Sequence, residues 1–217
     1  MVTGKLTKLL ESYQKNAQEE ARNYIGASSI GSDCLRQIWY GYQGFEAGEI
    51  PAATRRTWDI GKHLEGLILD WLESAGLEIS RSWMDLKSQN VKQFQGHLDS
   101  VWIKKGEAFA IIEVKTAKDS SFKIFVNKGV KIWNPQYYAQ VQSYMGMSSI
   151  HSAYILVLNK DNSDIFDELV TFDEKFYKGL EDKALMISSS NIEPPRINGS
   201  ALWYQCKLCK YNKECHK

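Results

Sequence analysis

The sequence predicts an α/β or α+β domain in which a central mixed β-sheet is flanked by helices. Three observations carry that reading. Residues 54–75, TRRTWDIGKHLEGLILDWLESA, place Trp58, Leu64, Leu67, Ile68, Trp71 and Leu72 at helical spacing. Three strand-like stretches follow, at about 77–86, 93–103 and 107–115. After them the order runs helix, strand, strand, helix. At 217 residues, with 43% hydrophobic and 24% charged positions, the chain suits one soluble domain spanning 1–217.

Taken in order, the first 25 residues mix apolar and charged positions at helical spacing and predict an amphipathic helix. SSIGSDCLRQIWYGYQG then offers Ser, Gly and Asp capping signals before an aromatic segment with Trp39, Tyr40 and Tyr42. Gly76 is a natural stop for the helix over 54–75. Lys104-Lys105-Gly106 predicts a hairpin turn between the last two of the three strands. Pro135 suits the first position of a helix over 135–147. AYILVLN at 153–159 reads as a buried strand, 165–172 as a further strand and 173–189 as a helix.

No stretch resembles a signal-peptide core or approaches membrane-spanning length, so the expected compartment is the cytoplasm. A net charge of +1 argues against one broad basic surface for nucleic acid, because such affinity grows with the phosphates neutralised. It leaves room for a local cleft with a basic wall and an acidic floor. Arg55 and Arg56, Lys128 and Lys131, and Lys207 and Lys210 form small basic groups of the kind usually found on a solvated face.

The chemistry starts at IIEVKT, residues 111–116. On a strand Glu113 and Lys115 share one face while Ile112 and Val114 take the other. Alone, such a triplet also fits a solvated ion pair. Upstream, FQGHLDSVWI carries Asp99. If 93–103 and 107–115 pair as a hairpin, Asp99, Glu113 and Lys115 meet at one end of the sheet. Two carboxylates side by side repel unless a cation lies between them, and oxygen ligands suit magnesium or manganese. Such an ion polarises a phosphate oxygen and activates water, which is phosphodiester hydrolysis.

The pattern Asp99 with Glu113-Val114-Lys115 resembles the PD-(D/E)XK nuclease superfamily, with GHL standing where the motif's name has proline. His63 in GKHLEG and the Gln140/Tyr144 pair in QVQSY resemble the helical histidine and Q-x-x-x-Y motif of its RecB-type branch. The resemblance implies a restriction-endonuclease-like core at about 54–190 and a metal-dependent DNA exonuclease acting on single-stranded or end-frayed DNA. It further implies that Asp99, Glu113, His63 and the Val114 carbonyl bind Mg2+ or Mn2+, that Lys115 assists the attacking water, and that Gln140, Tyr144 and Arg36 hold the DNA strand. On the bland reading His63 is a surface or satisfied core histidine, and Gln140 and Tyr144 are packing.

Cys206-x2-Cys209-x5-Cys215 and the distant Cys34 use all four cysteines. Closely spaced thiols in a cytoplasmic protein read as metal ligands rather than disulfides. Their chemistry fits zinc, with His216 as a substitute ligand, or an iron–sulfur cluster. One cysteine before the core and three after it is similar to the CRISPR-associated RecB-like exonucleases and the AddAB-type nuclease domains. That resemblance implies a [4Fe–4S] cluster in a C-terminal cysteine-ligated metal cap, built from the segment around Cys34 and residues 200–217, with Zn2+ as the alternative. It also brings homo-oligomers and recombination or CRISPR-adaptation partners into view. WNPQYYAQVQSYM resembles the lambda-exonuclease family as well, which keeps a duplex-end recombination nuclease as a rival. A non-cleaving metal-capped DNA-binding or adaptor subunit is the rival from another class. A sequence-specific endonuclease would need a target-reading element, and none stands out.

Overall fold

The computed structural model describes residues 4–15, 23–81, 85–98 and 100–217. Helix α1 (Lys5–Lys15) comes first, followed by β1 (Ile25–Gly26), α2 (Ala27–Ile30), α3 (Leu35–Tyr42) and the long α4 (Ala52–Ser74). Strands β2 (Ile79–Ser80), β3 (Asp85–Lys87), β4 (Phe94–His97), β5 (Ser100–Lys104) and β6 (Glu107–Ala117) come next. Helices α5 (Asp119–Lys128), α6 (Val130–Trp133) and α7 (Pro135–Ser148) lead to β7 (Ser152–Asn159) and β8 (Ile165–Thr171). Helix α8 (Glu174–Ser189) and the short α9 (Tyr204–Leu208) and α10 (Asn212–Cys215) complete the chain.

Among the described residues the central sheet runs β2-β5-β6-β7-β8, and a smaller one runs β1-β4-β3. The pair β6–β7 is parallel and the other pairs of the central sheet are antiparallel, so the sheet is mixed as expected. A parallel neighbour needs a crossover, and α5, α6 and α7 supply it. The β5–β6 turn places Lys105 at φ 56° and Gly106 at φ 80°, both positive, as a two-residue type I′ hairpin requires.

Two expected strands are each divided. The stretch 93–103 contributes β4 to the small sheet and β5 to the central one, so only its second half pairs with β6. The stretch 77–86 likewise splits into β2 and β3, in different sheets. Helices α5 and α6 fill a segment to which no element was assigned, and α1 covers 5–15 of the expected N-terminal helix, whose residues 16–22 lie outside the described ones.

The faces of β6 fix the layers. Ile112 and Val114 are buried against Ile68 and Leu69 of α4, with Leu64 and Leu72 beside them. Ile111 and Ala117 join the larger core, which includes Tyr138, Val141 and Met145 of α7. The sheet thus lies between α4 and α7. Trp58, Leu67 and Trp71, part of the apolar stripe expected on α4, are exposed.

Candidate active site

Glu113 and Lys115 leave β6 on the face that carries Ile111 and Ala117, toward α7. Glu113 is 1% exposed. Its Oε1 meets the Lys115 ammonium at 2.5 Å as an ion pair, and neither carboxylate oxygen has a hydrogen-bond partner among the described residues. A buried carboxylate left so poorly satisfied is costly unless a cation completes it. The Lys115 ammonium also sits over the Tyr137 ring, 4.5 Å from its centroid.

The backbone supplies a further oxygen. Ser100 Oγ donates to the Ile112 carbonyl at 2.9 Å, while the Lys160 N–H donates to the Ala117 carbonyl at 2.8 Å from the β7 side. Backbone groups alternate along a strand, so the even-numbered carbonyls of β6 point toward β5. The Val114 carbonyl therefore faces the edge just past the Ser100–Ile112 pair, where the described ladder ends. A buried acid and a main-chain oxygen thus lie one residue apart at the end of the described ladder. Asp99 lies outside the described residues; its neighbours Leu98 and Ser100 are both buried.

His63 occupies the exposed flank of α4 with Lys62, Gly66, Leu67 and Asp70, opposite the side that packs on the sheet. Its Nδ1 lies 2.8 Å from the Asp59 carbonyl. A methyl group added at Gly61 would lie 4.0 Å from Thr116 Oγ1, which puts this part of α4 over the end of β6.

On α7, Asn134 caps the helix by accepting from the Gln136 and Tyr137 N–H groups, and Pro135 takes the first turn. Gln140 and Tyr144 are both buried, and Gln140 Nε2 donates to the Tyr144 hydroxyl at 2.8 Å. Tyr144 packs on Gly96 of β4: a Cβ there would fall 2.7 Å from Tyr144 Cε1. This pair braces the segment entering Asp99 and presents no open ring for a base or sugar to stack on.

Arg36 lies on α3 with its side chain 11% exposed. Its Nε donates to the Pro194 carbonyl at 2.6 Å, and its NH1 lies 3.3 Å from Glu193 Oε1 and 3.7 Å from Cys215 Sγ. Three acceptors thus meet the guanidinium.

Cys34, Cys206, Cys209 and Cys215 all line one pocket, with His216 and Arg196 beside them. All four thiols are free. The Tyr211 N–H points at Cys209 Sγ at 3.4 Å, and the His216 Nε2 is buried without a partner among the described residues. Burial first, and the neighbouring sulfurs after it, push the Cys206 thiol up; burial does the same for Cys209, against the Tyr211 N–H. Among the described residues no three His, Cys, Asp or Glu side chains are arranged to share one metal ion, in this pocket or at Glu113.

Tyr137 is the site residue that sequence reasoning missed. Its position, in register to cover Lys115, depends on the α5–α6 crossover, which carries no motif.

No protein-family model matches the sequence, and no curated protein is similar to it in sequence. Solved structures are similar in fold. LHK-Exo, an alkaline exonuclease from Laribacter hongkongensis, superposes with a TM-score of 0.60 at 14% identity over 84% of this chain and 91% of its own, and its dAMP complex gives the same score. The protein SSO0001 gives 0.54 at 21% identity over 97% of this chain and 93% of its own. A phage-related exonuclease from Haemophilus somnus gives 0.51 at 14% identity over 70% and 77%. The chain therefore has the restriction-endonuclease-like fold of these exonucleases.

Proposed function

We propose that the protein is a divalent-metal-dependent DNA exonuclease. The observation that carries this reading is the buried Glu113 carboxylate, without a hydrogen-bond partner among the described residues and next to the Val114 carbonyl where the described β5–β6 ladder ends, with Lys115 on the same face. The fold shared with alkaline and phage-related exonucleases, one of them crystallised with a deoxynucleoside monophosphate, supports the choice of substrate.

The residues fit a hard cation because the donors are oxygens and one of them is an orphaned buried acid. Glu113 and the Val114 carbonyl would hold it, and Asp99, one residue before Ser100, is proposed as the second carboxylate. His63, expected as a further ligand, lies on the exposed flank of α4, while Glu113 leaves β6 on the opposite face toward α7, so His63 is left out of the proposed ligand set. Mg2+ or Mn2+ bound there supplies Lewis acidity to a phosphate oxygen and lowers the pKa of water. Lys115 orients the attacking water and offsets charge that builds on the phosphorus oxygens. Gln140 and Tyr144 keep the strand that enters Asp99 in place rather than gripping DNA themselves.

The cysteine pocket is proposed to hold a [4Fe–4S] cluster, with zinc as the other candidate. Four thiols lining one pocket, with N–H groups aimed at two of the sulfurs, support a thiolate-held metal group there. Its role is structural, joining the two ends of the described chain.

The test uses protein prepared without oxygen, assayed for iron, sulfide and visible absorption, then given linear and closed circular DNA with Mg2+ or Mn2+. Nucleotide release from linear DNA alone, lost in Lys115→Ala, is the expected result. Cutting of closed circles would replace the reading with an endonuclease. DNA binding without product from any end, in the presence of either ion, would replace it with the non-cleaving subunit.

A further inference from the structure

We propose that Tyr137 is a positioning residue for Lys115: its ring offers the ammonium a second seat, so that the Glu113 carboxylate can be given up to a divalent cation. The proposal rests on the reading of Glu113 as a cation ligand.

Two of the ammonium's contacts bear on an incoming cation. The ammonium lies 2.5 Å from Glu113 Oε1 and 4.5 Å from the centroid of the Tyr137 ring. A cation arriving at Glu113 competes with the ammonium for the same oxygen, and two positive charges on one buried carboxylate repel each other. Lys115 must then shift away from the carboxylate while staying close enough to act on water. An aromatic face is suited to this, because it attracts a cation without offering a carboxylate that would hold it rigidly.

The ring is itself fixed. Tyr137 packs on Trp133 with centroids 5.4 Å apart, and Trp133 packs on the buried Phe125 at 5.0 Å. Trp133 Nε1 donates to Ser121 Oγ at 2.7 Å, which anchors the row to α5. The Asn134 cap holds the Tyr137 backbone from the other side. Three aromatic rings from α5, α6 and α7 thus end on the lysine of β6. Without the Tyr137 ring, the cation–π attraction that helps draw the ammonium off the carboxylate is lost.

The experiment measures Mn2+ binding in the absence of DNA, from the electron paramagnetic resonance signal of free Mn2+. Tyr137→Leu and Tyr137→Phe are compared with wild type, each with Lys115 present and in a Lys115→Met background. With Lys115 present, Tyr137→Leu weakens Mn2+ binding by about three- to ten-fold, the range of a partly buried cation–π contact, and Tyr137→Phe restores it. In the Lys115→Met background Tyr137→Leu changes nothing, because no ammonium competes. An unchanged affinity in Tyr137→Leu, an equal loss in both backgrounds, or a Tyr137→Phe variant as weak as Tyr137→Leu would each overturn the proposal. Equal affinity of wild type and Glu113→Gln would remove the cation site and the proposal with it, a result told apart from the others because it needs no change at Tyr137.

Discussion

Glu113 brings stability and chemistry into conflict at a single side chain. Its charge is buried and its neutralising partner is Lys115. Removing one member of a buried pair typically costs about 3 kcal/mol or more, because the other is left uncompensated. In chelator, Lys115→Met should lower the unfolding free energy by about that amount in a denaturant titration, and Mn2+ should recover part of it. Cleavage by Lys115→Ala with the ion present should fall by about 10²–10⁴-fold, the usual contribution of a positioned proton-handling group. Tyr40 gives a second test at this scale. Burial, then its hydrogen bond to Glu193, pushes the hydroxyl up to about 12. The folded state therefore keeps this proton where the unfolded chain has lost it, so the contribution is intact below about pH 10 and fades as pH rises toward 12. Thermal stability of wild type should drop over that window more steeply than that of Tyr40→Phe.

Within single elements, the sharpest constraint is the contact between α7 and β4. A Cβ at Gly96 would press on the Tyr144 ring at 2.7 Å and on the Ala27 Cβ at 3.0 Å. Gly96→Ala should cost about 1–3 kcal/mol in chemical denaturation and should lower cleavage beyond what lost stability explains, because the displaced strand leads into Asp99. The sequence exposed β6 and β7 through their apolar runs and α7 through Pro135 at its start, and it placed α8 at 173–189. It missed the break between β4 and β5 because FQGHLDSVWI has no Gly or Pro where the chain changes sheets. Helices α5 and α6 stayed hidden for a different reason. Ile124, Val126 and Ile132 are exposed apolar residues that blur any stripe, while the buried Phe122 and Phe125 are set by contacts distant in sequence. The Glu113–Lys115 and Gln140–Tyr144 pairs were legible because residue types and spacing carry them. Tyr137 was not, since its role depends on how the crossover lands.

At the scale of the whole molecule, α3 and the segment after α8 are strapped together independently of the thiols. Trp39 Nε1 donates to the Ser190 carbonyl at 2.9 Å, Tyr40 donates to Glu193, and Arg36 donates to the Pro194 carbonyl. Arg196 continues the strap by donating to the Cys215 carbonyl at 2.7 Å. Stripping iron or zinc from the cysteine pocket should therefore leave residues 190–196 protected in limited proteolysis, whereas Arg36→Ala combined with Tyr40→Phe should open them. A chelator dose that abolishes cleavage should leave the far-ultraviolet circular dichroism unchanged, because the cation site and the strap lie on different elements.

The same pocket draws Cys34 from one end of the described chain and three cysteines from the other. On the ribosome, Cys34 is made long before Cys215 is joined to the polypeptide. The four thiols can therefore meet in this pocket only late in biosynthesis, and until then Cys34 lacks the three that line it.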